Sequence, residues 1–260
     1  MTHEAALTQD QARFLRPEKL RLQPLRALRA FNRLIHDKED TAQVFEIMKA
    51  LTGRSVARGY QRLLRSAEGG RQAFLAEELV DRLKDRAWLA GFGPGTVGAA
   101  YRAFMGERGF EPDGLVEIER RVVPWIDAEH PIAWFSRRLR DVHDIWHVLA
   151  GYETDALGEA CVVSFSYAQT RQLGFAFIGI GAAGEIRREN PAIPARRAVL
   201  EAWRNGRRAA WLPALDYEAL FAEPLEAARA RLNIRPPLVY RAVPPDVRRG
   251  LKLRAPAMAA

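Results

Sequence analysis

His143, Asp144 and His147 are followed by eleven residues and then Glu159, which gives the pattern H-D-x-x-H-x11-E. Histidine and carboxylate side chains are the common nitrogen and oxygen ligands of a divalent metal, with Zn2+ first among the candidates. A helix turns by roughly 100° per residue, so His147 lies about 40° from His143 and Asp144 about 60° beyond His147. The three side chains then share an arc of roughly 100° on one helix face. Gly151, Thr154 and Asp155 suit a turn and a new N-cap. That turn would place Glu159 in the first turn of a returning helix, facing the imidazoles again. The expected site is a divalent-metal centre on a helical hairpin, with ligands His143, Asp144, His147 and Glu159.

Histidines four residues apart also occur in ordinary helices, where one ring caps a carbonyl and the other meets an acid. Two features favour metal here. Val142, Ile145, Trp146, Val148 and Leu149 already form an apolar stripe, so the core has no need of histidine. Of the five histidines in the chain, His130, His143 and His147 fall at or near the hairpin.

Helices must position these groups. A chain of 260 residues with 48% hydrophobic content can bury one substantial core. Helix formers dominate and β-branched runs are short, so the expected fold is all-α, a single-domain helical bundle around the metal-bearing hairpin. The expected divisions are a flexible arm over 1–16, one helical domain over 17–235 and an extended tail over 236–260, where Pro236-Pro237 and Pro244-Pro245 interrupt helix. Leu25, Leu28, Phe31, Leu34 and Ile35 keep helical spacing up to His36. A second helix from about 41 presents Val44, Phe45, Ile47, Met48 and Leu51 and stops at Gly53. Further helices are expected over 55–68, stopped by Gly69-Gly70, and over 72–90, with Phe74, Leu75, Leu79, Leu83 and Trp88 facing inward.

The stretch 91–95 is a Gly/Pro loop that lacks the Lys-Ser/Thr of a phosphate loop. Thr96 opens a helix through 105, an irregular link over 106–114 follows, and 115–123 is the one plausible strand. A loop over 124–131 ends in His130, expected at the surface or behind a ligand. One helix is expected from 132 to about 150. The returning helix, with Ala160, Val162, Val163, Phe165, Tyr167 and Ala168, is apolar nearly all round and should be the buried centre. The apolar run 173–183 reads first as a core helix packed through its glycines. Its functional alternative is a greasy wall for an apolar ligand tail or an edge dipping into a bilayer; eleven residues cannot span one. The last helices are expected over 195–208, with Val199, Leu200 and Trp203 inward, and over 217–232.

The net charge is +8, from 40 basic and 32 acidic residues. The arginines are scattered through every helix beside Glu or Asp, and no recognition motif accompanies them, so no nucleic acid is expected. Attraction to an anionic membrane surface, as a peripheral protein, is the more useful inference. Arg204, Arg207 and Arg208 form a small cluster that could meet a phosphate or carboxylate. The one cysteine, Cys161, excludes an internal disulfide framework and fits a reducing compartment. Residues 1–10 lack a basic stretch followed by an apolar run, and Glu4 and Asp10 do not suit a mitochondrial presequence. The expected location is the bacterial cytoplasm, peripheral to the inner membrane.

The spaced motif resembles the signature of the coenzyme Q (ubiquinone) biosynthesis family, the fourth of the Coq proteins. The upstream blocks Asp40-Thr41-Ala42-Gln43-Val44-Phe45 and Pro94-Gly95-Thr96-Val97-Gly98 with Tyr101 are similar to that family's. So are the downstream blocks Leu157-Gly158-Glu159, Gln169-Thr170 and Arg204-Asn205-Gly206-Arg207. The likeness runs from about Arg26 to Ile234; the Arg-rich N-terminal arm and the Pro/Arg/Ala tail depart from it. The resemblance implies an all-helical fold and zinc at His143, Asp144, His147 and Glu159. It implies a polyprenylated 4-hydroxybenzoate-derived precursor or quinone precursor as substrate, and C1 oxidative decarboxylation with hydroxyl replacement, a carbon–carbon lyase-type step. Other ubiquinone-biosynthesis proteins are the implied partners, and a homodimer is compatible with this picture.

Glu159 and Asp144 are the candidate catalytic residues, because a loosely held carboxylate can yield its position to substrate while an open position is what catalysis needs. Zinc has no redox chemistry, so an oxidative replacement would need dioxygen acting on an electron-rich phenolate, or another metal. The competing class is a non-catalytic prenyl-lipid-binding scaffold stapled by structural zinc. A metallohydrolase would need further ligands, and the histidines outside the motif other than His130 lie at position 36 or earlier.

Overall fold

The computed structural model describes residues 21–37 and 40–251. Among them the fold is all-α and single-domain, with one isolated bridge between Thr96 and Pro224. In chain order the helices are α1 (Pro24–His36), α2 (Ala42–Leu51), α3 (Ser55–Leu63), α4 (Ala67–Leu75), α5 (Leu79–Lys84), α6 (Arg86–Ala90) and α7 (Val97–Arg108). Then come α8 (Val116–Val122), α9 (Pro131–Asp141), α10 (His143–Ala150), α11 (Ala156–Thr170), α12 (Leu173–Glu189) and α13 (Ala195–Arg208). A 3-10 turn at Leu212–Ala214 leads to α14 (Tyr217–Phe221), α15 (Leu225–Arg231), α16 (Leu238–Arg241) and α17 (Pro245–Gly250). The expected arm over 1–16 lies outside the described residues.

Helix α11 is the centre. Nearly every residue from Leu157 to Thr170 is buried, as its all-round apolar character demands, and it packs along α12 and α13. Those two partners carry small buried side chains, and Gly179 of α12 and Gly206 of α13 lie directly against α11 while Gly174 admits Met48 of α2. The run 173–183 is thus mainly a core helix, although Leu173 and Ile180 face outward. No described helix is long and apolar enough to cross a membrane.

Several expectations fail for identifiable reasons. The stretch 115–123 is helix α8: Val116 N donates to the Asp113 carbonyl, Arg121 pairs with Glu117 one turn back, and Ile118 and Val122 share a face. Gly69-Gly70 does not stop a helix, because the Ser66 hydroxyl accepts from Gly69 N at 3.1 Å and starts α4 just before the pair. The expected helix over 72–90 breaks at Ala76, which sits at φ 49°, so register is lost and Phe74 is 88% exposed. Leu25, Leu28 and Leu200 also face solvent, since α1 and α13 bury their alanines instead.

The helix over 217–232 is split at Pro224, where Leu225 N reaches back to the Gly95 carbonyl. The tail is not extended through 236–251. Pro237 and Pro244 immediately precede α16 and α17, a position where proline is tolerated, and Tyr240 is fully buried. The remainder of that expected tail lies outside the described residues.

Candidate metal centre

The expected helix over 132–150 is two helices, with Val142 (φ −81°, ψ −6°) between them. His143 therefore opens α10, and Asp144 in its first turn suits the positive end of the helix dipole. Three ligand atoms, one each from His143, Asp144 and His147, lie within 4.8 Å of one another. Glu159 joins them from α11: its oxygens are 3.5 Å from His147 Nε2 and 3.8 Å from His143 Nε2. Ligand atoms at 2.0–2.1 Å from a tetrahedral ion are about 3.3 Å apart, so these separations suit one divalent cation. The donor set, two imidazoles and two carboxylates, fits zinc or another borderline metal.

His147 is held for this task. It is 1% exposed, and its Nδ1 lies 3.1 Å from the Tyr152 carbonyl oxygen. A carbonyl can only accept, so Nδ1 carries a proton and Nε2 is the nitrogen that faces Glu159. The two imidazole rings stand perpendicular with centroids 4.9 Å apart. Burial opposes ionisation of Glu159, but the charge of His147 and hydrogen bonding to both histidines outweigh it and hold its pKa below the usual carboxylate range. Its side chain is 44% exposed, so solvent screens part of that effect. For His143 burial lowers the pKa, Glu159 and then Asp144 raise it, and the net direction is upward.

The turn between the ligand helices is fastened from the far end of the chain. Gly151, at φ 74°, closes α10 in a conformation that glycine adopts without strain. Arg229 donates to the carbonyls of Leu149 (2.9 Å) and Val148 (2.7 Å), capping the same helix end. Asp155 Oδ1 accepts from Leu157 N and Gly158 N, starting α11. Its Oδ2 accepts from the Tyr240 hydroxyl at 2.5 Å, and that hydroxyl in turn accepts from Glu153 N. A Cβ on Gly158 would overlap the Glu153 carbonyl, so glycine there lets the turn lie against the residue before Glu159. The spacing of the motif made the ligands legible; nothing local to it signals Arg229 or Tyr240.

Helix α7 walls the site. The Phe104 and His147 ring centroids are 5.4 Å apart, and the Arg108 guanidinium lies 4.0 Å from the Phe104 ring centroid. Tyr101 is buried and its hydroxyl has no hydrogen-bond partner among the described residues. Burial first, then the charges of Asp144 and Asp141, push its pKa up. His130 is not brought to the ligands' service: it caps α9, its Nδ1 accepting from Ile132 N at 3.1 Å.

A second charged cluster sits one turn before the ligands. Arg140 bonds Glu119 at 2.8 Å and Asp141 at 2.6 Å, and all three side chains are buried. Burial pushes Glu119 up to about 7 and Asp141 up to about 6, against the pull of Arg140.

Fold and site together define an all-helical protein with a two-histidine, two-carboxylate pocket suited to a divalent metal. Residues 19–238 match the family described as coenzyme Q (ubiquinone) biosynthesis protein Coq4. The mitochondrial ubiquinone biosynthesis protein COQ4 homolog of Danio rerio is 34% identical over 148 residues, which cover 56% of this chain and 51% of that protein. The Mus musculus homolog is 33% identical over 156 residues, 59% of this chain and 55% of that protein. The chain thus spans about half the length of these curated relatives. A crystal structure of a candidate ubiquinone biosynthesis protein from Nostoc punctiforme shares the fold, with TM-score 0.61 and 20% identity, covering 83% of this chain and 100% of that one. The chain belongs to the Coq4 family of coenzyme Q (ubiquinone) biosynthesis proteins.

Proposed function

We propose that this chain is a metal-dependent enzyme of ubiquinone biosynthesis that acts on a polyprenylated 4-hydroxybenzoate-derived acid. In the reaction the C1 carboxyl group leaves as carbon dioxide, one oxygen atom of dioxygen enters the ring as the new hydroxyl group, and the other leaves as water, with two electrons and two protons supplied by an external reductant. The observation that carries this reading is the convergence of the His143 and His147 Nε2 atoms on Glu159, with His147 locked by Tyr152. Family membership supplies the pathway.

A divalent cation bound by His143, Asp144, His147 and Glu159 would supply Lewis acidity toward the ring carboxylate or the adjacent phenol. His147, buried and tethered, is the fixed ligand. Glu159 is the exposed one, and it is the carboxylate able to swing aside for a substrate carboxylate; Asp144 is the second candidate. Phe104 excludes water from the inner side of the imidazoles, and the unpartnered Tyr101 hydroxyl is a donor held in reserve beside Asp144.

The lipid tail calls for an apolar surface. Leu22, Leu25 and Leu28 at α1 and Leu173 and Ile180 on α12 are exposed, and α1 packs on α12 through Phe31 and Phe177. Exposed leucines interleaved with Arg21, Arg26 and Arg29 suit peripheral contact with an anionic membrane, at the inner membrane of a bacterial cell. Other ubiquinone-biosynthesis proteins would hand substrate on and off at that surface.

The test is single turnover of a prenylated 4-hydroxybenzoate acid by protein loaded separately with Zn2+, Mn2+ or Fe2+, under labelled dioxygen with ascorbate as the two-electron reductant. Release of carbon dioxide with label in the new hydroxyl group is expected, and Glu159→Ala should keep its fold while losing turnover. Full metal loading without turnover for any metal, with unfolding on metal removal, would favour instead the non-catalytic lipid-binding scaffold with structural zinc.

A further inference from the structure

A second cleft, of about 810 Å³, opens between α3, the start of α4 and the 3-10 turn. It is lined by Arg58, Gln61, Arg62, Arg65, Ser66, Trp211 and Ala214. The three arginines follow i, i+4, i+7 spacing along α3 and the turn after it, so they share one face. Among the described residues no carboxylate lines the cleft, and none of the three arginines makes an ion pair. The adjoining cleft between α4, α5 and α14 differs: it holds Glu77, Glu78, Asp81 and Asp85, and its Arg71 and Arg82 pair with Asp216 and Glu218. Unrelieved like charges one turn apart disfavour the free state, and the half negative charge at the end of α3 offsets only part of three positive ones.

The floor of the cleft is fixed before anything binds. The Trp211 indole N–H donates to the Gln169 carbonyl at 2.9 Å. The buried Gln169 side chain donates to Gly206 (2.6 Å) and Ala210 (3.1 Å) and accepts from Leu212 N (2.8 Å). Arg62 lies 4.4 Å over the indole ring, which restrains its guanidinium fork. Partial burial first, then the charge of Arg171, lowers the basicity of Arg62; Arg171 follows α11 in a left-handed conformation (φ 60°) that arginine rarely adopts.

We propose that this cleft is a second ligand site, for a phosphate monoester held by Arg58, Arg62 and Arg65 against the Trp211 floor. Planar forks that bond two oxygens at once suit the three oxygens of a phosphate monoester, and a preset floor lowers the ordering cost of binding. Gln169 and Arg171 lie at the opposite end of α11 from Glu159, about 15 Å along the helix, so the anion would not be a ligand of the metal. The same chemistry is offered by a soluble phosphate ester and by a phosphomonoester lipid headgroup.

Glycerol 3-phosphate, titrated by calorimetry into the metal-loaded full chain at physiological salt, should bind one site with a dissociation constant below about 1 mM. Arg58→Gln/Arg62→Gln should weaken it at least tenfold, while Glu159→Gln and the exposed control Arg196→Gln/Arg197→Gln should leave it unchanged. Cosedimentation with phosphatidylcholine vesicles carrying phosphatidate assigns the source. Vesicle binding that falls in Arg58→Gln/Arg62→Gln identifies a lipid headgroup; vesicle binding that does not, with glycerol 3-phosphate binding still arginine-dependent, identifies a soluble ester. The proposal is overturned if neither probe depends on these arginines, if the control pair weakens binding equally, or if Glu159→Gln abolishes it.

Discussion

Two polar clusters lie one helical turn apart in this core and are balanced in opposite ways. At the end of α9, Arg140 sits between Glu119 and Asp141, all three buried, so the protein supplies its own cation. At the start of α10, His143, Asp144 and His147 cluster and Glu159 meets both imidazoles; among the described residues no lysine or arginine is ion-paired to either carboxylate. One cluster is closed, and the other has the charge and donor geometry of a cation site. The carboxylates of the second cluster are partly exposed and stand beside two imidazoles, a donor set that would suit a divalent cation.

The largest effect should come from breaking the closed cluster. Arg140→Met leaves Glu119 and Asp141 facing each other without a cation, and should lower stability by roughly 3–5 kcal/mol in urea unfolding. A loss below about 1 kcal/mol would mean that the acids ionise little and that the two clusters differ less than claimed. Next comes removal of metal from the open cluster. At free metal about 100-fold above its dissociation constant, binding contributes about 2.7 kcal/mol, so a chelator should lower the Tm and added Zn2+ should restore it. His147→Ala should show no response to either treatment.

A smaller effect is expected at the fastening of the turn. Tyr240→Phe removes the hydroxyl shared by Asp155 and Glu153 and should lower stability by about 1–3 kcal/mol. Metal affinity, read by competition with a chelating dye, should weaken with it, because the turn aims Glu159. An unchanged affinity would separate the C-terminal helices from the site.

The smallest effect is a pH dependence. Glu119 is raised by burial to about 7, above its unfolded value, so its contribution is most favourable below about 4.5 and is lost as pH rises toward 7. The stability of the parent chain relative to Glu119→Gln should therefore fall across that interval. A difference that rises with pH would show Arg140 to be dominant.

The hairpin that brings the candidate ligands together was legible because its information is local. A 3.6-residue period aligns His143 with His147, and Asp155 caps the helix that returns Glu159. The helices were legible as a class, but their ends were not. Ala76, Val142 and Pro224 break runs whose apolar spacing looks continuous; after Pro224 the freed Leu225 N–H is taken up by the distant Gly95 carbonyl. Residues 115–123 carry β-branched side chains, yet helix wins through an i, i+4 ion pair and packing against α2. The orienting groups were the least legible. Tyr240 acts on Asp155 across 85 residues and Arg229 on Leu149 across 80, separations that leave no periodic trace.

Metal analysis of the purified chain, parent and His147→Ala side by side, tests the asymmetry of the two clusters most directly. One divalent ion per chain in the parent, none in His147→Ala, and retained helicity in both is the expected result. A folded parent chain that holds no metal and takes up none at micromolar Zn2+, Mn2+ or Fe2+ would contradict it.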